Sequence, residues 1–143
     1  MRPVTIFVPG IPVPKGSTRA FVRGGRAITT GANPKTRIWE HEIRAYLSAE
    51  HDEEDEIRTF EVVVTLTFRM PRPKAHHRKD GTVKGSWADV SHTSKPDLDK
   101  LIRAALDAMT GIEFVDDSQV TSITASKRYC AAGEQPGIEI ELL

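Results

Sequence analysis

Two pairs of aspartates bracket one short amphipathic stretch of this chain: Asp97 and Asp99 at its start, Asp116 and Asp117 beyond its end. Between them Leu98, Leu101, Ile102, Ala105, Leu106 and Met109 recur at helical spacing, so the stretch is predicted to be a helix with one apolar stripe. Pro96 and Asp97 supply a start signal and Gly111 a stop. Residues two apart point away from each other on a helix but share a face on extended chain. Asp97 and Asp99 therefore converge only if the chain at Asp97 is still extended, which fits the extended bias of the residue ahead of Pro96. Asp116-Asp117 lies after a turn, so one of its carboxylates could return to the same place. Three carboxylates in one cleft need a cation between them. Hard oxygen donors of this kind suit Mg²⁺, with Mn²⁺ as a substitute. A helix cap and an ordinary turn would account for the same four residues, and spacing alone does not separate the two accounts.

The elements that must position these residues can be read in order. Val4, Ile6 and Val8 alternate as a first strand, which Pro9 to Pro14 ends. Lys15 to Ala32 reads as a basic loop with a turn at Gly24-Gly25 and one aromatic, Phe21, which could stack on an unpaired base or fold onto the core. Asn33-Pro34 starts a helix to about Ala49, with Trp39, Ile43, Tyr46 and Leu47 on one face and Trp39 expected in the core. Phe60 to Phe68 alternates as a strand, closed by Pro71 and Pro73. Lys74 to Thr93 is a long polar loop leading into Asp97; its Trp87 suits packing or DNA contact equally. Val120 to Tyr129 reads as a further strand, and Ile138, Ile140 and Leu142 as a last one, antiparallel to its predecessor. The expectation is an α+β fold in a single domain, 1–143, of order β-α-β-α-β-β, with helices packed on a small mixed sheet.

The chain has 143 residues, 20 basic and 20 acidic, so its net charge is zero and composition alone does not mark a nucleic-acid binder. The distribution is uneven. Glu50 to Glu56 is acidic except for His51, whereas Lys15 to Arg37 holds six basic residues and no acid, and Arg69 to Lys84 six against Asp80. Charge segregated this way can give a basic face for phosphates, although runs of charge also occur as solvated loops. Cys130 is the only cysteine, which excludes an internal disulfide and suggests a reducing compartment. His76-His77 lacks ligand spacing and reads as loop. The apolar runs are too short for a membrane span and nothing resembles a signal peptide, so a cytoplasmic protein is expected.

Asp97-Leu98-Asp99, the helix after it, and Asp116-Asp117-Ser118-Gln119-Val120 resemble the RusA family of Holliday junction resolvases, which has many phage members. An N-terminal Pro-Gly-Ile-Pro-Val-Pro-Lys segment resembles phage members more weakly. The resemblance implies a Mg²⁺-dependent, homodimeric endonuclease cutting four-way DNA junctions by paired nicks in recombination and repair. It implies metal-binding, catalytic roles for Asp97, Asp99 and Asp117, with Asp116 the weaker of its pair. The family's catalytic lysine falls on Arg103, which keeps the charge but not the compact donor of lysine. The family's frequent Asn after the first motif is Lys100 here. Lys95, Lys100, Lys15, Arg19, Arg72 and Lys74 are the expected DNA contacts. The carboxylates would equally serve a nuclease of flaps or forks, and the capping account would leave a non-catalytic DNA-binding or packaging accessory protein.

Overall fold

The computed structural model describes residues 2–16, 19–30 and 33–143, with the backbone alone for 19–21 and 28–30. Strand β1 (Val4–Pro9) is followed by a hairpin of β2 (Arg19–Arg23) and β3 (Arg26–Thr30), helix α1 (Pro34–Ala49), strand β4 (Val62–Met70), helix α2 (Leu98–Met109) and strands β5 (Val120–Tyr129) and β6 (Gly137–Leu142). Short 3₁₀ turns at Lys74–His76, Gly85–Trp87 and Asp117–Gln119 punctuate the connections.

Four strands form one mixed sheet in the order β1-β6-β4-β5. β6 pairs antiparallel with both β1 and β4, and β4 pairs parallel with β5. The last strand thus runs antiparallel to β5, as expected, but β4 lies between them. A parallel pair cannot be joined by a hairpin and needs a long crossover. The connection through α2 is that crossover, and it forces α2 to run back against the strands it joins.

β4 is the centre of the core. Val62, Val64, Leu66, Phe68 and Met70 are buried, alternating with half-buried Val63, Thr65, Thr67 and Arg69. The buried face packs with Trp39, Ile43 and Leu47 of α1 and with Leu101, Ala104, Ala105, Ala108 and Met109 of α2. Trp39 is core, as expected. The buried line of α2 is rotated from the predicted stripe: Ala104 and Ala108 are fully buried, while Leu98, Ile102 and Leu106 flank the core. Helix α1 starts as predicted, with Pro34 in the first turn and the Asn33 side chain accepting the Lys35 N–H at 3.0 Å.

The segment expected as a basic loop from Lys15 to Ala32 contains the β2–β3 hairpin, turning through Gly24 and Gly25 at φ 60 and 77. Two successive positive φ values are open to glycine and strained for most residues. The Phe21 side chain, and with it the choice between stacking and core, lies outside the described residues, as do Ser17, Thr18, Gly31 and Ala32.

Gly137, opposite Pro9 at the start of β6, leaves no room for a side chain against β1. A Cβ there would collide with the Val8 carbonyl oxygen and approach the Phe7 ring to 2.6 Å. Backbone cannot step aside as a flexible side chain can. Gly137→Ala is therefore expected to lower stability by about 2 kcal/mol, in the range of overpacking, read as a fall in the midpoint of thermal unfolding. An unchanged midpoint would show that the strands separate freely.

Candidate active site

The parallel β4–β5 unit has two ends, and it separates the two acidic motifs. At the carboxyl ends of the strands, the Lys127 ammonium donates to the carbonyls of Ser94 at 2.7 Å and Pro96 at 2.8 Å, fixing the chain that enters α2. At the opposite end, the Gln119 side-chain amide donates to the carbonyls of Arg58 and Phe60, both at 2.9 Å. Eight residues of extended strand separate Gln119 from Lys127, about 25 Å. Helix α2, about 18 Å long, runs back over the same span. The expected return of Asp116 or Asp117 to Asp97 and Asp99 therefore does not occur within one chain. The parallel crossover dictates that the start of α2 and the start of β5 lie at opposite ends. Accordingly, no three His, Cys, Asp or Glu side chains among the described residues are grouped closely enough to hold a metal ion.

The two acidic pairs also differ in what their side chains do. Asp116 is a cap: its carboxylate accepts the Ser118 N–H at 3.1 Å, and the Gln119 side chain returns to the Asp116 N–H at 2.9 Å. Hydrogen bonding from Ser118, its hydroxyl first and its backbone second, holds the Asp116 carboxyl below the usual carboxylate range. Asp117 is exposed at the first residue of the same turn and is not part of that box. Asp97 occupies the N-cap position of α2, yet its side chain makes no capping hydrogen bond. Its backbone is extended, φ −68 and ψ 141, which is the condition for Asp97 and Asp99 to share a face.

The Lys95 ammonium, 3.6 Å from one Asp97 oxygen, holds the carboxyl below its ordinary range, and Lys100, 3.5 Å from the other, adds to this. Asp97 is therefore an anion throughout the neutral range. Asp99 is exposed in the first turn of α2, and Arg103 is exposed one turn further on. Two carboxylates flanked by ammonium groups fit Mg²⁺, which is held by one or two protein carboxylates while keeping water and taking phosphate oxygens.

The expected DNA contacts divide. Lys95 is 85% exposed beside Asp97, and Lys74 is exposed on its 3₁₀ turn. Lys15 is occupied within the fold: its ammonium lies 2.6 Å from Asp107 and 3.1 Å from Glu40, and its backbone N–H bonds the Lys100 carbonyl. The Asp107 contact foremost raises the Lys15 pKa. Arg72 is likewise a brace, donating to the carbonyls of Cys130 at 2.9 Å and Trp87 at 2.8 Å. The Arg19 side chain lies outside the described residues.

His76, read from sequence as loop, is a buried packing residue. Its ring stacks on Trp87 at 4.0 Å and meets Tyr129 edge-on at 5.0 Å. Trp87 thus has a packing role. Sequence reasoning also missed Lys127, whose role depends on the parallel partner of β5, and the His92–Tyr129 contact, ring centroids 4.6 Å apart, beside the entry to α2.

The chain is 28% identical over 138 residues to the uncharacterized protein YqaN of Bacillus subtilis, a match spanning 96% of this chain and 93% of that one. The family model of endodeoxyribonuclease RusA matches residues 9–143, which takes in both helices, both acidic motifs and every strand but β1, of which it includes only Pro9. With its acidic motifs carried on a mixed sheet and two packed helices, the chain belongs to the RusA endodeoxyribonuclease family.

Proposed function

We propose that this protein is a Mg²⁺-dependent endonuclease that resolves four-way DNA junctions by paired symmetric nicks, acting as a homodimer in recombination and repair. The observation that carries this reading is Asp97. An aspartate at a helix start ordinarily caps the helix, and this one does not. Among the described residues its carboxylate faces only the Lys95 and Lys100 ammonium groups, which a bound cation would displace toward phosphate, with Asp99 two residues on.

Asp97 and Asp99 would hold Mg²⁺ from one copy. Asp117, at the far end of β5, would reach the same ion only from a second copy, so the reading requires a twofold assembly with composite sites. A twofold dimer also matches a substrate that must be cut at two symmetry-related strands. The ion, when bound, supplies charge neutralisation at the scissile phosphate and a more acidic water. Lys95 and Lys100 take neighbouring phosphates. Arg103, one turn beyond Asp99, offsets charge that builds on the phosphate in the transition state. Lys127 acts through the chain: by holding the Ser94 and Pro96 carbonyls it keeps Asp97 extended.

The test is a labelled four-way junction, a flap and a linear duplex, each incubated with the protein in Mg²⁺ and in EDTA. Paired nicks in opposed strands of the junction, only with Mg²⁺, are the expected result. Cutting of the flap alone would transfer the metal site to a different branched substrate. Cutting that persists in EDTA would overturn the metal reading.

A further inference from the structure

Beside Asp97 the structure holds a cavity of about 490 Å³, walled by the Ile11–Pro14 segment, by Pro71 after β4, by His92, by Ser94 to Pro96 and by Tyr129 at the end of β5. Its size is that of a small-molecule site. Its walls are flat: prolines on the near sides and the Tyr129 ring. That ring is fixed from three directions, by His76 edge-on at 5.0 Å, by His92 at 4.6 Å and by the Arg72 guanidinium over it at 5.3 Å. A rigid aromatic platform of this kind is what stacks on a planar ring.

Two further observations narrow the ligand. His92 lines the cavity, is only 8% exposed, and its Nδ1 has no hydrogen-bond partner among the described residues. That nitrogen is itself closed to solvent, so a ligand in the cavity meets the rest of the imidazole ring. Burial first, and Lys127 second, push its pKa down, so it is neutral near pH 7 and can accept as well as donate. The charge of the lining is one-sided: exposed Lys35 and Lys95 belong to it, and no carboxylate does among the described residues. A planar, hydrogen-bonding ring attached to phosphate is a nucleotide.

We propose that this cavity receives a nucleobase unstacked from the strand whose phosphate lies at Asp97 and Asp99, and so sets a base preference beside the cut. The cavity reaches Pro96, the residue next to Asp97, so a nucleotide seated there neighbours the reacting one. Lys35 and Lys95 take its phosphates, the Tyr129 ring stacks on its base, and the His92 imidazole reads its edge. This rests on the junction-nuclease reading, but it can fail separately.

The test is an abasic scan. Four-way junctions carrying one abasic residue at each position around the crossover are titrated with the protein in EDTA, so that nothing is cut. One position is expected to weaken binding by about tenfold, the scale of stacking a single base. Two variants follow. His92→Ala removes the reading edge. Ser94→Phe, at an exposed lining residue, fills the cavity without touching the core. Both are expected to bring the ratio between intact and abasic junctions close to one and to even out cutting among sequences in Mg²⁺. The proposal is overturned if no position in the scan matters, or if Ser94→Phe keeps the wild-type ratio. Base-dependent binding without cutting would retain the pocket and sink the nuclease reading; junction cutting without base dependence would do the reverse. Failure to bind branched DNA at all would overturn both.

Discussion

Asp97→Asn is expected to lower Mg²⁺-dependent nicking of a four-way junction by about 10³-fold, the upper range for loss of one preorganised electrostatic group, while junction binding changes little. The substitution is nearly isosteric and removes no helix cap, because the Asp97 side chain makes no capping bond. It does release Lys95 and Lys100 from their carboxylate partner, which if anything favours phosphate contact. Asp117→Asn is expected to be equally inactive. Mixing the two inactive variants is the stronger experiment, because the acidic motifs lie at opposite ends of β5. If each site takes Asp97 and Asp99 from one copy and Asp117 from the other, a mixed dimer has one site with every carboxylate intact. Random reassortment then restores roughly a quarter of the wild-type sites, and the product is a single nick instead of a pair. If each copy carried a complete site, no mixture would recover activity. Continued inactivity of the mixture after confirmed subunit exchange would therefore sink the composite arrangement, and wild-type rates in Asp97→Asn alone would remove Asp97 from the chemistry.

How far the site could be read from sequence follows from which features are local. Helix α2, its extended entry at Asp97 and its stop at Gly111 were legible because apolar spacing and turn chemistry act within a few residues. So was β4, with its strict alternation, and α1, with its Asn33-Pro34 start. The hairpin was not, although its glycine turn was visible. Its strands, Arg-Ala-Phe-Val-Arg and Arg-Ala-Ile-Thr-Thr, are too short and too polar to show an alternating apolar face. Nor was the separation of the acidic motifs. Sequence places Asp97 and Asp117 at the two ends of a helix region, but only the parallel pairing of β4 with β5 sends those ends to opposite edges of the domain. The division of labour within Asp116-Asp117 was half legible: the weaker candidate from sequence is the residue that caps the turn. Lys15 and Arg72 show the limit of counting basic residues. Each is positive and each lies in a basic run, yet Lys15 neutralises Glu40 and Asp107, and Arg72 ties β4 to the Trp87 turn. The same runs that suggested a DNA face are partly internal bracing.

Glu113→Ala is expected to destabilise the fold by about 3–5 kcal/mol, the cost of breaking a buried ion pair from one side. Against a total of about 5–15 kcal/mol for a small domain, that leaves a protein marginal at physiological temperature. Glu113 lies in the turn after α2 and is fully buried. One of its oxygens accepts the Arg58 Nη1 at 2.8 Å, and the other accepts from the His51 Nε2 at 2.6 Å. Arg58 is itself only 3% exposed, so without the carboxylate its charge has lost its counterion in a dry place. The remaining bond of its guanidinium, to the Arg2 carbonyl, is neutral and cannot replace it. The consequence reaches the second acidic motif. The Arg58 carbonyl holds the Gln119 side chain, whose oxygen gathers the Val115 and Asp116 N–H groups, and this shapes the turn that presents Asp117. Thermal unfolding should report the loss directly, with nicking assayed below the new midpoint falling further than stability alone accounts for. Replacing both partners by apolar residues of similar size, Arg58→Met with Glu113→Leu, should recover most of the midpoint, because no charge is then left unpaired. It should not recover full nicking if the pair also registers the Asp117 turn. A midpoint for Glu113→Ala within a degree or two of wild type would show that Arg58 finds water or another partner, and that the buried pair is not what holds this end of the domain.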